Sequence, residues 1–341
     1  MNSNLDPISR RNFLLSLPAL MIAPRVWTQT NNPAIRVTGI NHVSLAVPDV
    51  KRSVDFYQGL FGMPVISRQG STVNLQIGGG PQFLEVSSAG SNTPKIDHIG
   101  LGVVDSFDAD RIVTVLGQRG VTKSDVVGPM KVRVVTRDGT PEVFLGDPGG
   151  LVVQLQDSRY CGGSGPLGRV PKREESPKKG LMALRDWSHT TNFVSDGAAS
   201  IKFYQEIFGL DIQAYQGPGS PVIGVGPGVH FLMFAGGGGA RGGAPAAPRP
   251  ASINHLCMSL DNFNPDTVIK TLESYGIKPR GSAQGAAPPL VHYISMRMEN
   301  RGGAKEGTPE LYFTDPDGLL IQLQDVKYCG GGGVLGDVCP G

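Results

Sequence analysis

Four of the six histidines in this chain, His42, His98, His189 and His255, stand near the start of short alternating runs that read as β-strands. In Asn41-His42-Val43-Ser44-Leu45-Ala46-Val47, the side chains of Val43, Leu45 and Val47 share one face, and His42, Ser44 and Ala46 share the other. An imidazole on the face away from the apolar residues is available as a metal ligand or proton carrier. Phe83-Leu84-Glu85-Val86 reads the same way, with Leu84 and Val86 on the core face and Glu85 opposite. His42, His98 and Glu85 then supply two imidazoles and one carboxylate, the facial set that holds a divalent ion and leaves positions open for substrate and oxygen. Fe2+ is favoured, and Mn2+, Zn2+ and Ni2+ suit the same ligands. Gln154 lies on the polar face of a later strand and serves either as a weak fourth ligand or as a hydrogen-bond donor to substrate. A lone strand histidine is more often a hydrogen-bonded core residue. Its recurrence at one place in four units weighs toward ligation.

A second, weaker set is His189, His255 and Gln322. Met233 takes the place of Glu85 there, so no anion is supplied. Cys257, two residues after His255, shares its face and is either a soft ligand or a packed thiol. His230 falls on the opposite strand face and reads as structural.

These side chains are positioned by a repeat. Gly139 to Gly163 (GTPEVFLGDPGGLVVQLQDSRYCGG) returns at Gly307 to Gly331 (GTPELYFTDPDGLLIQLQDVKYCGG), with 16 of 25 positions identical at an offset of 168. Each copy reads as strand, tight turn, strand. Asp147-Pro148-Gly149-Gly150 and Asp315-Pro316-Asp317-Gly318 form the turns, because proline pre-sets the first turn dihedral and glycine tolerates the last. Phe56-Tyr57-Gln58-Gly59-Leu60-Phe61-Gly62 likewise returns as Phe203-Tyr204-Gln205-Glu206-Ile207-Phe208-Gly209. Helices are expected over Val50–Phe61, Phe107–Arg119, Ala198–Phe208 and Pro265–Tyr275, each stopped by glycine.

The fold class is therefore α+β: four βαβββ modules forming two tandem paired-module domains, each with a curled, cup-like mixed sheet. The expected divisions are a leader at 1–34, a first domain at 35–161, a linker at 162–183, a second domain at 184–330 and a Gly-rich tail at 331–341. Gly236 to Pro250 and Gly281 to Pro289 read as loops, the first of them mobile. The leader carries Ser9-Arg10-Arg11-Asn12-Phe13-Leu14-Leu15 before a short apolar run, which reads as a twin-arginine export signal, cleaved or retained, and places the protein in the periplasm or outside the cell. The run is too short to be a confident membrane span. With 31 basic against 29 acidic residues, nothing marks a nucleic-acid partner. The expected partner is a small-molecule substrate, with a homodimer left open and no organic cofactor implied.

These modules resemble the vicinal oxygen chelate superfamily of glyoxalase I, fosfomycin- and bleomycin-resistance proteins and extradiol ring-cleaving dioxygenases. The resemblance rests on the histidine of each first strand, on Phe-Tyr-x-x-x-Phe-Gly in the first and third helices, and on Asp-Pro-x-Gly-x-x-x-Gln before each last strand. It covers about residues 35 to 330. It implies paired modules around a divalent metal that chelates neighbouring substrate oxygens. One departure matters: the last-strand position that is usually Glu is Gln154 and Gln322 here. This speaks against a plain glyoxalase, whose proton shuttle resembles a two-carboxylate task. The expectation is an exported metal-dependent enzyme, dioxygenase-like, acting on a small oxygen-bearing compound. The alternatives are a non-catalytic binding protein of the bleomycin-resistance type and a glyoxalase-like isomerase or lyase. In an exported protein, Cys329 and Cys339 either form a disulfide across the tail or Tyr328-Cys329 packs at the sheet edge.

Overall fold

The computed structural model describes residues 33–104, 106–236 and 250–339. The expected export signal and most of the expected mobile loop at 236–250 lie outside the described residues. In chain order, the first half contains β1 (Val37–Val47), α1 (Val50–Phe61), β2 (Val65–Gln69), β3 (Thr72–Gln76), β4 (Phe83–Ser88), β5 (Lys95–Val103), α2 (Ala109–Gly117), β6 (Thr122–Lys123), β7 (Lys131–Arg137), β8 (Thr140–Gly146) and β9 (Val152–Asp157). The second half contains β10 (Leu184–Phe193), α3 (Gly197–Phe208), β11 (Ile212–Tyr215), β12 (Pro221–Gly224), β13 (Phe231–Ala235), β14 (Ser252–Leu260), α4 (Pro265–Ser274), β15 (Lys278–Pro279), β16 (Val291–Arg297), β17 (Thr308–Thr314) and β18 (Leu320–Asp325).

Each half is one mixed nine-stranded sheet, ordered β2-β3-β4-β1-β5-β9-β8-β7-β6 and β11-β12-β13-β10-β14-β18-β17-β16-β15. The two modules of a half meet where β1 runs antiparallel to β5, and β10 to β14. Flanking them, β4 is parallel to β1 and β9 is parallel to β5. The paired modules and their mixed sheets are as expected from the sequence. The even-numbered modules add a two-residue strand, β6 or β15, too short to carry a periodicity.

Local chemistry sets the element ends. The Asp49 side chain accepts from Arg52 N at the start of α1, and Gly62 closes it in the left-handed region at φ 66°. A Cβ at Gly62 would lie 2.3 Å from the Lys179 carbonyl oxygen, so glycine also lets the linker approach. The linker at 162–183 lies against the first module: Glu174 bridges to Val65, its carboxylate pairs with Arg68, and Leu181 N donates to Leu60 O. The tail is closed by a Cys329–Cys339 disulfide, while Cys161 and Cys257 are free and buried.

The two halves share one apolar core, because each amphipathic helix of an odd-numbered module leans on the other half. Phe56 of α1 meets Phe313 of β17 at 6.4 Å between ring centroids, and Tyr275 Oη donates to Phe56 O at 2.9 Å. In the mirror arrangement, Ser200 of α3 donates to Asp147 at 2.9 Å. Buried residues from Ile35 to Leu323 form one continuous cluster.

The Asp-Pro turns are built by their aspartates and then covered by the partner half. Asp315 Oδ1 accepts from the backbone N–H of Asp317 and of Leu319, each at 2.9 Å, and Oδ2 accepts from Tyr57 Oη at 3.1 Å. Burial, with the neighbouring Asp317 charge adding to it, pushes the Asp315 carboxyl up to about 6. The folded protein therefore holds this proton more tightly than the unfolded chain, whose carboxyl titrates near about 3.9. The penalty is absent below that value and grows as pH rises, reaching about 3 kcal/mol above about pH 7. Asp315→Asn removes it. In urea melts, the stability of the wild type relative to this variant should fall by about 2 kcal/mol between about pH 4.5 and about pH 7. A difference that does not move with pH would show that the buried turn holds no such proton.

Candidate metal centre

Strand register brings three of the first-cup residues together on two adjacent levels. Gly100 of β5 is the cross-strand partner of His42 on β1 and also of Gln154 on β9. His98, two residues before Gly100, projects from the same face. His42 Nε2 is 3.1 Å from Gln154 Oε1 and 3.4 Å from His98 Nε2, and His98 Nε2 is 3.0 Å from the same Gln154 oxygen. His42, His98 and Gln154 are all buried.

Each imidazole is held from behind. His42 Nδ1 is 2.9 Å from Asn41 Oδ1, and the Asn41 amide nitrogen donates to Tyr160 O, which orients the oxygen toward the ring. His42 Nδ1 therefore carries the hydrogen and Nε2 presents a lone pair. Burial, aided by the nearby His98, keeps the His42 pKa well below that of a free imidazole. His98 Nδ1 is 2.9 Å from Asp97 Oδ2. Burial pulls the His98 pKa down, but the Asp97 hydrogen bond and the Glu85 and Asp97 charges outweigh it and leave it raised. Phe83 stacks on His42 at 4.6 Å, and Phe144 meets the His98 ring edge-on at 5.4 Å.

The three inward atoms are thus two imidazole nitrogens and an amide oxygen, and His42 Nε2 and Gln154 Oε1 face each other with no hydrogen of their own. Such a centre needs a proton on His98 or a cation. Two ligand atoms about 2.1 Å from one ion lie about 3.0 Å apart at a right angle and about 3.4 Å apart at a tetrahedral angle. The observed separations match those values, so His42, His98 and Gln154 fit a divalent metal in geometry. They are one negative charge short of the two-histidine, one-carboxylate set.

Glu85 lies on the same wall, level with His98 and across β1 from it. Its strand partner on β1 is Ser44, which is also the partner of His98, while that of His42 is Phe83. Its carboxylate accepts from Ser44 Oγ at 2.7 Å. Among the described residues, no three of His, Cys, Asp and Glu come close enough to hold a metal. The triad that converges is completed by glutamine rather than by Glu85.

The second cup repeats the design with looser contacts. His189 is stacked on Phe231 at 4.3 Å and meets His255 edge-on at 5.5 Å. His189 Nδ1 is held by Ser188 Oγ at 3.0 Å and His255 Nδ1 by Asn254 Oδ1 at 2.9 Å. The His255 Nε2 atom and both polar atoms of the Gln322 amide are buried without a hydrogen-bond partner. Burial holds His255 neutral down to about pH 4. Met233, at the Glu85 position, is 3.7 Å from Thr191 Oγ1.

Two features of the site escape the sequence reading although their signals are there. Every first-strand histidine is preceded by a side chain that holds its Nδ1: Asn41, Asp97, Ser188 and Asn254. Glu142 and Glu310, identical within the repeat, sit at the base of the cups and accept from Tyr160 and Tyr328 at 2.8 and 3.0 Å. Burial raises the Glu142 pKa. A cleft of about 590 Å3 between the halves reaches Asp97 and Asn254, behind one histidine of each cup, and is also lined by Arg280 and Tyr293. That is room for a small molecule.

The family model for the Glyoxalase/Bleomycin resistance protein/Dioxygenase superfamily matches residues 39–155 and 187–323. The chain belongs to this superfamily. Its two matched segments coincide with the two sheets. The fold is similar to that of the 2,3-dioxygenase LapB from Pseudomonas sp. KL28, with 15% identity and a TM-score of 0.56 over 84% of this chain and 92% of that one. It is also similar to the Mn(II)-bound glyoxalase from Novosphingobium aromaticivorans, with 15% identity and a TM-score of 0.58 over 85% and 82%. A catechol 2,3-dioxygenase has 16% identity and a TM-score of 0.57 over 88% and 89%. No curated protein is similar enough in sequence to be matched with this superfamily member. Among the described residues, no helix is long and apolar enough to cross a membrane.

Proposed function

We propose that the first cup is a divalent-metal site and that the protein is a metal-dependent enzyme of dioxygenase type acting on a small oxygen-bearing compound. The observation that carries this reading is the convergence of His42 Nε2, His98 Nε2 and Gln154 Oε1 within 3.0 to 3.4 Å. His42, His98 and Gln154 would hold the ion, Fe2+ by preference and Mn2+, Zn2+ or Ni2+ as alternatives. When bound, the metal would supply Lewis-acid and redox chemistry at neighbouring substrate oxygens. The chain supplies the rest. Phe83 and Phe144 wall the cup and exclude water. Glu85, held by Ser44 and free of the triad, is the proton acceptor for a substrate hydroxyl. Tyr160 and Glu142 close the base. The names of two structural relatives, both 2,3-dioxygenases, support this reading over a lyase. The Mn(II)-bound relative keeps a glyoxalase-like reaction as the alternative. The neutrality of the three donors favours a second reading, a binding protein that sequesters a small molecule without catalysis. Export through the twin-arginine sequence at Arg10-Arg11 is part of the proposal and places the reaction outside the cytoplasm.

Elemental analysis of protein purified from its native compartment tests the proposal, followed by oxygen uptake with an aromatic vicinal diol. About one divalent ion per chain is expected, falling below about a tenth in His42→Ala. Metal-free protein that takes up no Fe2+ or Mn2+ anaerobically, yet binds small aromatic ligands with unchanged affinity, would leave the sequestration reading in its place.

A further inference from the structure

We propose that the residue between the first histidine and the last-strand glutamine decides which cup can close on a cation: Gly100 permits closure in the first cup, and Cys257 prevents it in the second. This rests on the reading of the first cup as a metal site.

The two positions are equivalent in register. Gly100 pairs with His42 and with Gln154, and Cys257 pairs with His189 and with Gln322. Both point into the cup, two residues after His98 and His255. A Cβ at Gly100 would lie 2.0 Å from His42 Cε1, 2.1 Å from Nδ1 and 2.6 Å from Nε2. The His42 ring therefore occupies the volume that a side chain at Gly100 would fill. Real Cβ atoms do not approach ring atoms this closely, and the buried imidazole has no solvent into which to swing.

Cys257 carries a side chain at that position in the second cup, beside Ser188, and is fully buried. His189 is thereby denied the place that His42 takes. Its ring is stacked on Phe231 as flatly as His42 is on Phe83, both at 8°, but lies nearer the tyrosine, 5.5 Å from Tyr328 at 29°, where His42 and Tyr160 are 6.4 Å apart at 58°. The consequence is visible at the other two corners. Gln322 still acts on both imidazoles across the cup, but neither its amide nor His255 Nε2 comes within hydrogen-bond distance of a partner, whereas their first-cup counterparts are in contact. The residues that could hold an ion are present twice, and one side chain separates the arrangement in contact from the looser one. Cys257 is a positioning residue in this account and not a ligand.

Cobalt(II) titration of the full chain tests the proposal, read by visible absorption and by elemental analysis after gel filtration. The wild type should bind one ion per chain. Cys257→Gly should bind two, and Cys257→Gly combined with His189→Ala should return to one. Gly100→Ala should bind at least tenfold more weakly than the wild type. The gain in Cys257→Gly cannot arise from misfolding, so the proposal does not depend on the stability of Gly100→Ala. One ion in the wild type and still one in Cys257→Gly would overturn this inference and leave the metal reading intact. So would two ions in the wild type, or a thiolate-to-cobalt band in the near ultraviolet, which would make Cys257 a ligand. A wild-type chain that binds no cobalt would remove the metal reading, and this inference with it.

Discussion

Gln154→Glu should tighten divalent-metal binding at the first cup by at least about 100-fold, equivalent to about 3 kcal/mol. Gln154 Oε1 already touches both imidazole Nε2 atoms, so a carboxylate there needs no new geometry. What changes is charge. Three neutral donors offer a divalent ion only dipoles, whereas a carboxylate about 2 Å from the ion adds a full Coulomb attraction in a buried, weakly screened site. Mn2+ titration by calorimetry measures the change directly. Gln322→Glu is the internal control: its amide stands beyond hydrogen-bond distance of His189 and His255, so its gain should be markedly smaller. Equal affinities for wild type and Gln154→Glu would mean that the first cup does not bind the ion at all.

The largest loss of stability is expected from Glu310→Ala, at about 3–5 kcal/mol. Arg297 and Glu310 form a 2.8 Å ion pair at the base of the second cup, with side chains 0% and 5% exposed. Arg297 also donates to Gly302 O and Gly331 O, and Glu310 accepts from Tyr328. Removing the carboxylate leaves a guanidinium without a counter-charge and out of reach of water. The first cup supplies the contrast. Arg137 pairs with Glu142 at 3.3 Å and is 46% exposed, and Glu142, 2% exposed and with its pKa raised by burial, can take up a proton when the guanidinium is removed, so Arg137→Met should cost less than Glu310→Ala. The double change Arg297→Met with Glu310→Leu should recover most of the loss, since an apolar pair strands no charge. Urea melts of the four proteins check this. A Glu310→Ala chain as stable as Arg137→Met would mean that solvent reaches Arg297.

Much of this molecule is legible in its residues, and the rest is missing for a definable reason. Alternation places His42, Glu85, His98 and Gln154 on one face, and the structure agrees about the face. Alternation says nothing about height along neighbouring strands. That is set by register, which puts Gln154 level with His42 and Glu85 level with His98, where the Glu85 carboxylate is taken up by Ser44. The glutamine assigned a minor part is therefore the third corner of the converging triad, and the acid assigned a major part stands beside it. The limits of α1 and α3 were readable because Asp49 and Gly62 cap α1 by local rules, as Asp196 and Gly209 cap α3, whereas the helix expected over Phe107–Arg119 is the shorter Ala109–Gly117. The two-residue strands β6 and β15 were not, since two residues carry no period. Nor was the docking of α1 on the turn at Asp315, because an amphipathic face announces that it will be covered but not by what.

The shared core has a bearing on how this protein can change over time. Neither half owns the apolar surface that stabilises it: Phe56 needs Phe313, and the turn at Asp147 needs Ser200. A descendant that had lost every use for the second cup could still not discard it, because the deletion would strip the working half of its cover. The duplicate is kept as scaffolding whatever its chemistry, and that frees its pocket to drift toward a ligand of its own.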